Sequence, residues 1–406
     1  MTEVTSNEYL LEPNHIELRE RCREFSKNFI RPAAKEVDTN KDIPLDLYRE
    51  AAEKGFYRSE FFIEIGMDPT GLSSAIVAEE FAYGDAGLAL ALLYPALPLT
   101  ALTLTGTPKQ VSSLLPTLLG TVNDPKLISF AASEPEAGSD VAAFTTTARK
   151  EGDYYVLNGR KRWAGNSSKA DTYFIVASLD LDLGPKAQAV FIVDDANPGL
   201  SFSEPFEKLG LRGMTHADIF INEVKVHKDM LLGGEERAKT KLEKLKASSN
   251  LVQEQSAMQT FSATRPFVAA LAVGLARASH EEALSYAKTR KAFGKSIIHH
   301  QQIADQLARQ RMLIDAARLL TYRAATLTAQ QHKQSAAEGS QAKLFAAEMV
   351  RDVTATSITI AGGLGFTTMM NLERMYRDAP IFSIFEGTNQ IQSLIIASSI
   401  SNEKIR

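Results

Sequence analysis

One short segment near the C-terminus places a single carboxylate where it could act as a base. The segment reads Ile384-Phe385-Glu386-Gly387-Thr388-Asn389-Gln390-Ile391-Gln392. A carboxylate among apolar groups is desolvated, so its pKa rises and it becomes a usable general base near neutral pH. Gly387 allows a ligand to approach the main chain, whose N–H groups could then reach a substrate oxygen. A lone Glu of this kind is more often a solvated surface residue, so the interpretation of Glu386 as a base needs support from other motifs in the chain.

Five further motifs supply that support. In chain order they are Phe130-Ala131-Ala132-Ser133-Glu134-Pro135-Glu136-Ala137-Gly138-Ser139-Asp140, Leu157-Asn158-Gly159-Arg160-Lys161-Arg162-Trp163-Ala164-Gly165-Asn166, Thr289-Arg290-Lys291-Ala292-Phe293-Gly294-Lys295, Ala361-Gly362-Gly363-Leu364-Gly365-Phe366 and Arg374-Met375-Tyr376-Arg377-Asp378-Ala379. Any one of them could be a chance match. In this order and spacing, together with the Glu386 segment, they resemble the acyl-CoA dehydrogenase family (its medium- and short-chain type) over most of the chain.

Composition limits the classes of protein that need to be considered. The 406 residues are too many for one small core, so two or three domains are expected. A net charge of −4 gives no electrostatic case for nucleic acid. Cys22 is the single cysteine, which excludes an intrachain disulfide and fits a reducing compartment. The histidines lack metal-ligand spacing, so no metal site is expected.

No targeting or membrane segment is expected from the sequence. Residues Met1 to Glu8 are polar and contain no apolar run, unlike a secretory signal or an Arg-rich transit peptide. The longest apolar stretch, Ala86 to Leu104, is interrupted by glycine, prolines and threonines. A buried helix pair with a turn at Pro95–Pro98 explains it better than a membrane span. A cytoplasmic protein is therefore predicted.

The periodicity of apolar residues divides the chain into helical, β and again helical regions. Helical spacing runs from Ile16 to about Gly120, with Pro32 expected to close the first run. Compact strand candidates follow at Tyr173–Val176 and Ala189–Val193, and Asn158-Gly159 predicts a hairpin after the strand Tyr154–Leu157. Helical spacing returns after Met258, with one apolar stripe from Ile303 to Leu327 that is typical of a bundle helix.

This order of elements predicts an α+β protein with segregated layers. The expected domains are an N-terminal α-helical domain (1–125), a central β domain (126–232) and a C-terminal four-helix bundle (233–406), which is also the layout that the family resemblance implies. The polar segment 235–255 is expected to be an exposed helix or a mobile segment, with no assigned function.

The resemblance implies FAD as the cofactor, and no Gly-x-Gly-x-x-Gly motif supports a Rossmann cradle instead. The ring is expected to lie against Trp163, and the Ser133 loop against its pyrimidine edge. A neighbouring subunit is expected to bind the adenosine and phosphate part. The implied FAD-binding residues are Phe130, Ala132, Ser133, Gly138, Ser139, Trp163, Gly165, Arg290, Phe293, Gln301, Gly362, Gly363, Thr388 and Gln390.

The chain departs from the family at Gly165, where many members have Thr with its hydroxyl directed at the flavin N5. A main-chain N–H of Gly165 could still bond N5, but the side-chain donor is absent. Peroxisomal oxidase relatives also have glycine here, so the electron acceptor stays open between a partner flavoprotein and O₂.

For the substrate, the resemblance implies an acyl-CoA bound by Ser139, Arg265 and Gly387. Some family members carry the base at the place matched by Thr264, which cannot act as one, so the assignment falls to Glu386. Arg377 and Asp378 are predicted to form a structural ion pair that holds the loop before Glu386.

The implied reaction is α,β-dehydrogenation of an acyl-CoA thioester to trans-2-enoyl-CoA, as in fatty-acid β-oxidation. Glu386 would take the α-proton while flavin N5 accepts the β-hydride. The expected partners are an electron-transferring flavoprotein and further copies of the chain, as a homotetramer or homodimer. The alternatives are an acyl-CoA oxidase of the same fold, a flavin monooxygenase, which generally lacks this Glu, and a non-enzymatic scaffold, against which the intact Glu386 segment argues.

Overall fold

The computed structural model describes residues 11–247, 256–403 and 405. Up to residue 121 the described chain is helical. The helices are α1 (Pro13–Phe25), α2 (Arg31–Asn40), α3 (Leu45–Glu53), α4 (Ser59–Met67), α5 (Leu72–Gly84), α6 (Ala86–Leu93), α7 (Ala96–Thr105) and α8 (Pro108–Leu114). Their shared core is rich in aromatic side chains, with Phe25, Phe56 and Phe81 in mutual contact.

Pro32 does not close the first helical run as predicted. A π turn over Ser26–Ile30 precedes it, in which the Arg31 N–H donates to the Ser26 carbonyl. Pro32 then lies in the first turn of α2. The backbone keeps helical angles from α1 through the π turn into α2. A π turn just before the proline is therefore where the helix accommodates a residue that lacks an N–H.

The apolar stretch Ala86–Thr105 is long and apolar enough to cross a membrane by length and composition alone. In the structure it forms two helices, α6 and α7, whose side chains are mostly buried against the rest of the protein. The predicted helix pair is therefore confirmed, although the turn is at Tyr94–Pro95 and Pro98 already lies in the first turn of α7.

A seven-stranded sheet follows the helices. Its strands are β1 (Ile128–Ala131), β2 (Thr147–Glu151), β3 (Tyr154–Lys161), β4 (Thr172–Ser178), β5 (Gln188–Asp194), β6 (Leu200–Phe202) and β7 (Ile219–His227). The order is β1-β4-β2-β3-β7-β6, and β5 pairs with β4. The β1–β4 and β2–β4 pairs are parallel, and the other pairs are antiparallel.

The hairpin predicted at Asn158-Gly159 is wrong. β3 continues through both residues, with an irregularity in its pairing to β7 between Leu157 and Gly159. The turn into β3 is instead Gly152-Asp153, with Gly152 at φ +59°. Glycine is needed at 159 because an added Cβ would come within 2.8 Å of the Thr146 Cα. An Asn-Gly pair can therefore mark a bulge as well as a turn.

The remaining described chain is again helical. Its helices are α9 (Glu235–Ala247), α10 (Ser256–Thr289), α11 (Gln301–Ala329), α12 (Ser335–Ala361), α13 (Leu372–Asp378) and α14 (Asn389–Ser401), with a small hairpin of β8 (Lys291–Ala292) and β9 (Lys295–Ser296). The predicted bundle helix over 303–327 is confirmed as part of α11. Helix α9 covers part of the segment 235–255, and residues 248–255 lie outside the described chain.

Helices α10, α11, α12 and α14 form the bundle, and α10 also packs against α5 of the N-terminal helices. The α+β layout with N-terminal helices, a central sheet and a C-terminal bundle is thereby confirmed. Helix α10 contacts Glu386 through Thr264, and a 3₁₀ segment joins α13 to the Glu386 segment.

The predicted ion pair between Arg377 and Asp378 is wrong. The Arg377 guanidinium pairs with Asp38 at 2.7 Å and with Glu373 at 2.7 Å. Asp378 instead accepts a hydrogen bond of 2.7 Å from the Leu211 N–H. Adjacent residues of one helix point in different directions, so each finds a partner in another part of the fold.

Candidate active site

Glu386 lies in a tight turn between a 3₁₀ segment (Ala379–Ser383) and α14. Its own φ is +55° and that of Gly387 is +90°, a left-handed pair that is unfavourable for a glutamate and easy for a glycine. Phe385 packs edge-on against Phe382, with ring centroids 5.5 Å apart. The strained conformation of Glu386 needs to be held by its surroundings.

Two side chains hold this turn. The fully buried Gln392 donates from Nε2 to the carbonyls of Glu386 and Gly387, at 3.1 Å each. Lys343 of α12, which is 1% exposed, donates to the Gly387 carbonyl at 2.7 Å. An added Cβ on Gly387 would come within 2.4 Å of Gln392 Nε2. Gly387 is therefore required by the turn itself, in addition to any approach of a ligand.

The carboxylate of Glu386 is surrounded by groups from α10 and α12. Thr264 Oγ1 donates to Glu386 Oε2 at 2.9 Å. Burial raises the pKa of Glu386 to about 7, against the opposing effects of the Thr264 hydrogen bond and of the Arg265 and Lys343 charges. The predicted rise of this pKa is confirmed. A carboxylate with a pKa near 7 is matched to proton transfer at neutral pH.

Arg265 lies inside the bundle. It is 2% exposed and donates to Ser340 Oγ at 3.2 Å. Its charge lowers the pKa of Glu386, so this guanidinium lies within electrostatic reach of the candidate base. Contact with the CoA end of a substrate stays a prediction for this residue.

The loop expected to meet the flavin edge is shaped by a buried ion pair. Lys161 and Glu134 are 2.9 Å apart, with side chains 0% and 2% exposed. Lys161 also donates to the Ala132 carbonyl at 3.2 Å, and the Arg162 N–H donates to the Ser133 carbonyl. Burial lowers the pKa of Lys161 to about 7, although Glu134 opposes this effect. Ala132 and Ser133 are thereby fixed against β3.

The open side of this loop carries exposed residues. Gly138 and Ser139 are exposed, and an added Cβ on Gly138 would meet nothing within 4 Å. Trp163 is 56% exposed at φ +69°, with its ring 4.9 Å from that of Phe206. A half-exposed indole in a strained conformation is available to pack against a planar ligand.

The side chain of Tyr94 joins the main chain at Phe130 to the main chain at Gly165 by hydrogen bonds. The Tyr94 hydroxyl accepts hydrogen bonds from the N–H groups of Gly165 (3.1 Å) and Phe130 (3.3 Å). The expectation that the Gly165 N–H is available for the flavin N5 is therefore corrected, because this N–H already has a partner in the same chain.

The other predicted FAD-binding residues divide into two groups. Thr388 caps α14, accepting from the Ile391 N–H at 3.4 Å, and Gln390 is exposed in the first turn of the helix. The second group is exposed at helix ends and in the β8–β9 hairpin, away from the Glu386 turn. It comprises Arg290, Phe293, Gln301, Gly362 and Gly363. Their predicted contacts, made across a subunit boundary, stay predictions.

Sequence reasoning missed several residues that position this site. Tyr94, Glu134, Lys161, Lys343 and Gln392 were not assigned roles. Glu134, Lys161 and Gln392 stand within the quoted motifs, and that position is the one sequence signal that could have marked them. Tyr94 and Lys343 gave no local signal. Among the described residues, no group of three or more His, Cys, Asp or Glu side chains is arranged to hold a metal ion.

Comparisons with known proteins identify the family of the chain. Three family models match the chain: the acyl-CoA dehydrogenase N-terminal domain at residues 12–121, the middle domain at 129–224 and the C-terminal domain at 255–401.

Full-length relatives are also similar. The 3-(aryl)acrylate reductase of Clostridium sporogenes is 35% identical over 95% of this chain and 98% of the relative. The caffeyl-CoA reductase–Etf complex subunit CarC of Acetobacterium woodii is 34% identical, covering 97% and 99%. The mitochondrial short-chain specific acyl-CoA dehydrogenase of Rattus norvegicus is 34% identical, covering 96% and 90%.

Solved structures show the same fold. Butyryl-CoA dehydrogenase from Megasphaera elsdenii superposes with a TM-score of 0.85 at 30% identity, over 96% of this chain and 99% of that one. The prolyl acyl carrier protein oxidase AnaB superposes with a TM-score of 0.83 at 27% identity, over 96% and 99%. With all three domain models matched and relatives aligned end to end, the chain belongs to the acyl-CoA dehydrogenase family and is an FAD-binding oxidoreductase.

Proposed function

We propose that this protein catalyses the α,β-dehydrogenation of an acyl-CoA thioester, with Glu386 as the base that takes the α-proton. The observation that carries the proposal is the half-buried Glu386 carboxylate, whose pKa burial raises to about 7. A base of this pKa is ionised in a large fraction of molecules at neutral pH and is still strong enough to accept a proton.

The residues of this chain fit FAD. The half-exposed Trp163 offers an aromatic face, and the exposed Gly138 and Ser139 leave the mouth of the loop free of bulky side chains. When bound, FAD supplies the group that accepts the hydride leaving the β-carbon of the substrate. Trp163, Ser133 and Ser139 would hold it at the edge of the sheet.

Proton removal depends on how Glu386 is held. The Thr264 hydroxyl binds one carboxylate oxygen at 2.9 Å and so limits the orientations of the group. Gln392 binds the carbonyls of Glu386 and Gly387, and Lys343 binds that of Gly387, so the two peptides that follow Glu386 are held in place. We propose that the Glu386 N–H donates to the thioester carbonyl and stabilises the developing enolate, an effect worth about 3–4 kcal/mol for one preorganised donor.

The same groups serve the reverse reaction, reduction of a 2-enoyl-CoA, in which Glu386 returns the proton. Two of the relatives carry reductase names, for an aryl acrylate and for caffeyl-CoA. This similarity supports reduction as the second candidate. Incubating the protein with saturated and α,β-unsaturated acyl-CoAs, aliphatic and aryl-substituted, under matched donors and acceptors will show which direction and which acyl group are preferred.

For the electron partner we propose an electron-transferring flavoprotein. Support comes from the relative that is named as a subunit of an Etf complex. The alternative acceptor, O₂, is motivated by Gly165 and by the likeness to an acyl carrier protein oxidase. A peroxide assay without added acceptor separates the two, because stoichiometric peroxide during turnover would refute the flavoprotein as the required acceptor.

We further propose a homotetramer or homodimer. Phe293, Phe366 and Met369 are 95%, 83% and 80% exposed at the ends of the bundle helices. A second copy of the chain that packed on this end of the bundle would cover these side chains and would bring residues such as Arg290 to its neighbour's cofactor. Light scattering of the purified protein tests this assembly.

The decisive experiment is the substitution Glu386→Gln. The amide keeps the size of the side chain but cannot accept the proton, so FAD should stay bound while turnover falls by about 10²–10⁴-fold. Glu403→Gln, at an exposed position just after α14, is the matched control and should turn over normally. Near-normal turnover of Glu386→Gln would remove Glu386 from the mechanism.

A further inference from the structure

A single tyrosine of the N-terminal helices reaches two backbone segments of the proposed flavin site. Tyr94 stands between α6 and α7. Its hydroxyl accepts from the N–H groups of Gly165 and Phe130 and donates to the Phe130 carbonyl, at 3.1, 3.3 and 3.4 Å. A phenol has one donor and acts as an acceptor, so these three bonds use its hydrogen-bonding capacity on main-chain atoms of β1 and of the segment that follows β3.

The ring of Tyr94 also occupies the space beside Gly165. A Cβ added to Gly165 would lie 2.7 and 2.9 Å from two ring carbons of Tyr94, and 2.2 Å from Met214 Cε. The methionine tip can rotate away, whereas the ring is held by its hydroxyl. Because the φ of Gly165 is outside the positive range, lack of space rather than backbone conformation explains the glycine.

The Gly165 peptide is held on both sides. The buried Ser129 donates to its carbonyl at 2.7 Å, while Tyr94 binds its N–H. Burial, and to a smaller extent the charge of Glu386, raise the pKa of Tyr94 to about 12. The phenol therefore stays protonated at neutral pH and lies within electrostatic reach of the candidate base.

We propose that Tyr94 is a positioning residue of the flavin site, which fixes the main chain at 130 and 165 from the N-terminal domain and forms a size-complementary pair with Gly165. This rests on the FAD-dependent function proposed above. In this arrangement a phenol from the turn between α6 and α7 fills the space next to position 165 that a larger residue there would take. The Tyr94 ring therefore fits only while position 165 has no side chain, and the glycine leaves no gap only while that ring is present.

The hydrogen-bonding role is tested with Tyr94→Phe in the holoenzyme. This variant keeps the ring and loses three bonds to the site backbone, so FAD should bind about tenfold more weakly and its visible absorption bands should shift. Tyr57→Phe is the matched control, since Tyr57 is also buried and donates to one main-chain carbonyl, that of Lys126, at 2.9 Å. The control should keep the wild-type spectrum and FAD affinity. An unchanged spectrum and affinity in Tyr94→Phe, or equal changes in both variants, would overturn the positioning role.

The steric role is tested by a double-mutant cycle of Tyr94→Ala and Gly165→Ala, read as thermal unfolding of protein stripped of FAD. Gly165→Ala should lower the Tm markedly with Tyr94 present and much less with Ala at 94, because the space is then free. Equal losses in both backgrounds would refute the pair. Since this readout does not need FAD, it stays informative if the wild-type protein fails to bind FAD, a result that would instead refute the proposed function.

Discussion

The hydrogen bond from Thr264 to Glu386 makes a quantitative prediction about the pH dependence of catalysis. At 2.9 Å this bond stabilises the charged carboxylate, so it lowers a pKa that burial has raised to about 7. A hydrogen bond to a charged group contributes about 1.5–3 kcal/mol, and one pKa unit corresponds to about 1.36 kcal/mol. Thr264→Val should therefore raise the pKa of Glu386 by about one to two units.

The assay is the pH dependence of kcat/KM, which reports the pKa of the base in the free enzyme. The ascending limb of the profile should move to higher pH in Thr264→Val, so that activity near pH 7 falls while activity near pH 9 is largely kept. Thr264→Ser keeps the hydroxyl and should restore the wild-type profile. The control Thr321→Val removes a buried hydroxyl whose bond goes to the Ala317 carbonyl of its own helix, and it should leave the profile in place.

A profile of Thr264→Val that coincides with the wild type would show that this hydroxyl does not set the pKa of the base. A shift to lower pH would contradict the sign of the argument, and with it the role of Glu386 as the titrating group. Loss of activity at every pH without a shift would assign Thr264 to substrate binding instead.

Three further predictions follow from the buried charges. Because the folded-state pKa of Glu386 (about 7) lies above its ordinary value of 4.5, wild-type stability falls as pH rises from about 4.5 through 7. Glu386→Gln lacks this titrating group, so in urea unfolding it should be more stable than the wild type by on the order of 2–3 kcal/mol at pH 9 but not at pH 4. Equal stability differences at both pH values would contradict the raised pKa of Glu386. Lys343→Met removes a cation that lowers the same pKa, so the kcat/KM profile should again move to higher pH, and a profile that stays in place would argue against this coupling. Lys161→Met leaves Glu134 buried without its cation and should cost about 3–5 kcal/mol of unfolding free energy. The control Lys150→Met, at an exposed ion pair, should cost less than about 1 kcal/mol. Similar costs in the two variants would show that the buried ion pair does not stabilise the fold more than an exposed one.

Local pattern was sufficient for much of the fold. The stripe from Ile303 to Leu327 predicted α11 because a helix that packs on one side must repeat apolar residues every three or four positions. Compact apolar runs likewise predicted β4 and β5. The errors came where one local signal serves two structures. An Asn-Gly pair fits a bulge as well as a turn, and a proline can lie inside a helix that continues when a π turn precedes it.

The site was predictable only in its local part. The raised pKa of Glu386 followed from its neighbours in sequence, but the groups that limit that rise stand on α10 and α12. Thr264 was identified only as a residue that cannot be the base, and its hydrogen bond to Glu386 spans 122 positions. Tyr94 and Gly165 are 71 positions apart. A single sequence contains no signal that pairs residues at such separations.

The arrangement of these residues has a consequence for how the site responds to changes elsewhere. The pKa of Glu386 depends on its distances to Thr264 and Arg265 on α10 and to Lys343 on α12, so the packing of these two helices sets the protonation of the base. Tyr94 sets the flavin side of the site from a different domain, through bonds to the sheet. Substitutions in the α10–α12 interface should therefore alter the pH profile and leave the flavin spectrum unchanged, whereas substitutions around Tyr94 should alter the spectrum first. A core substitution between α10 and α12 that changed the spectrum without changing the pH profile would contradict this division, because the charges that act on the base would then be insensitive to the helices that carry them.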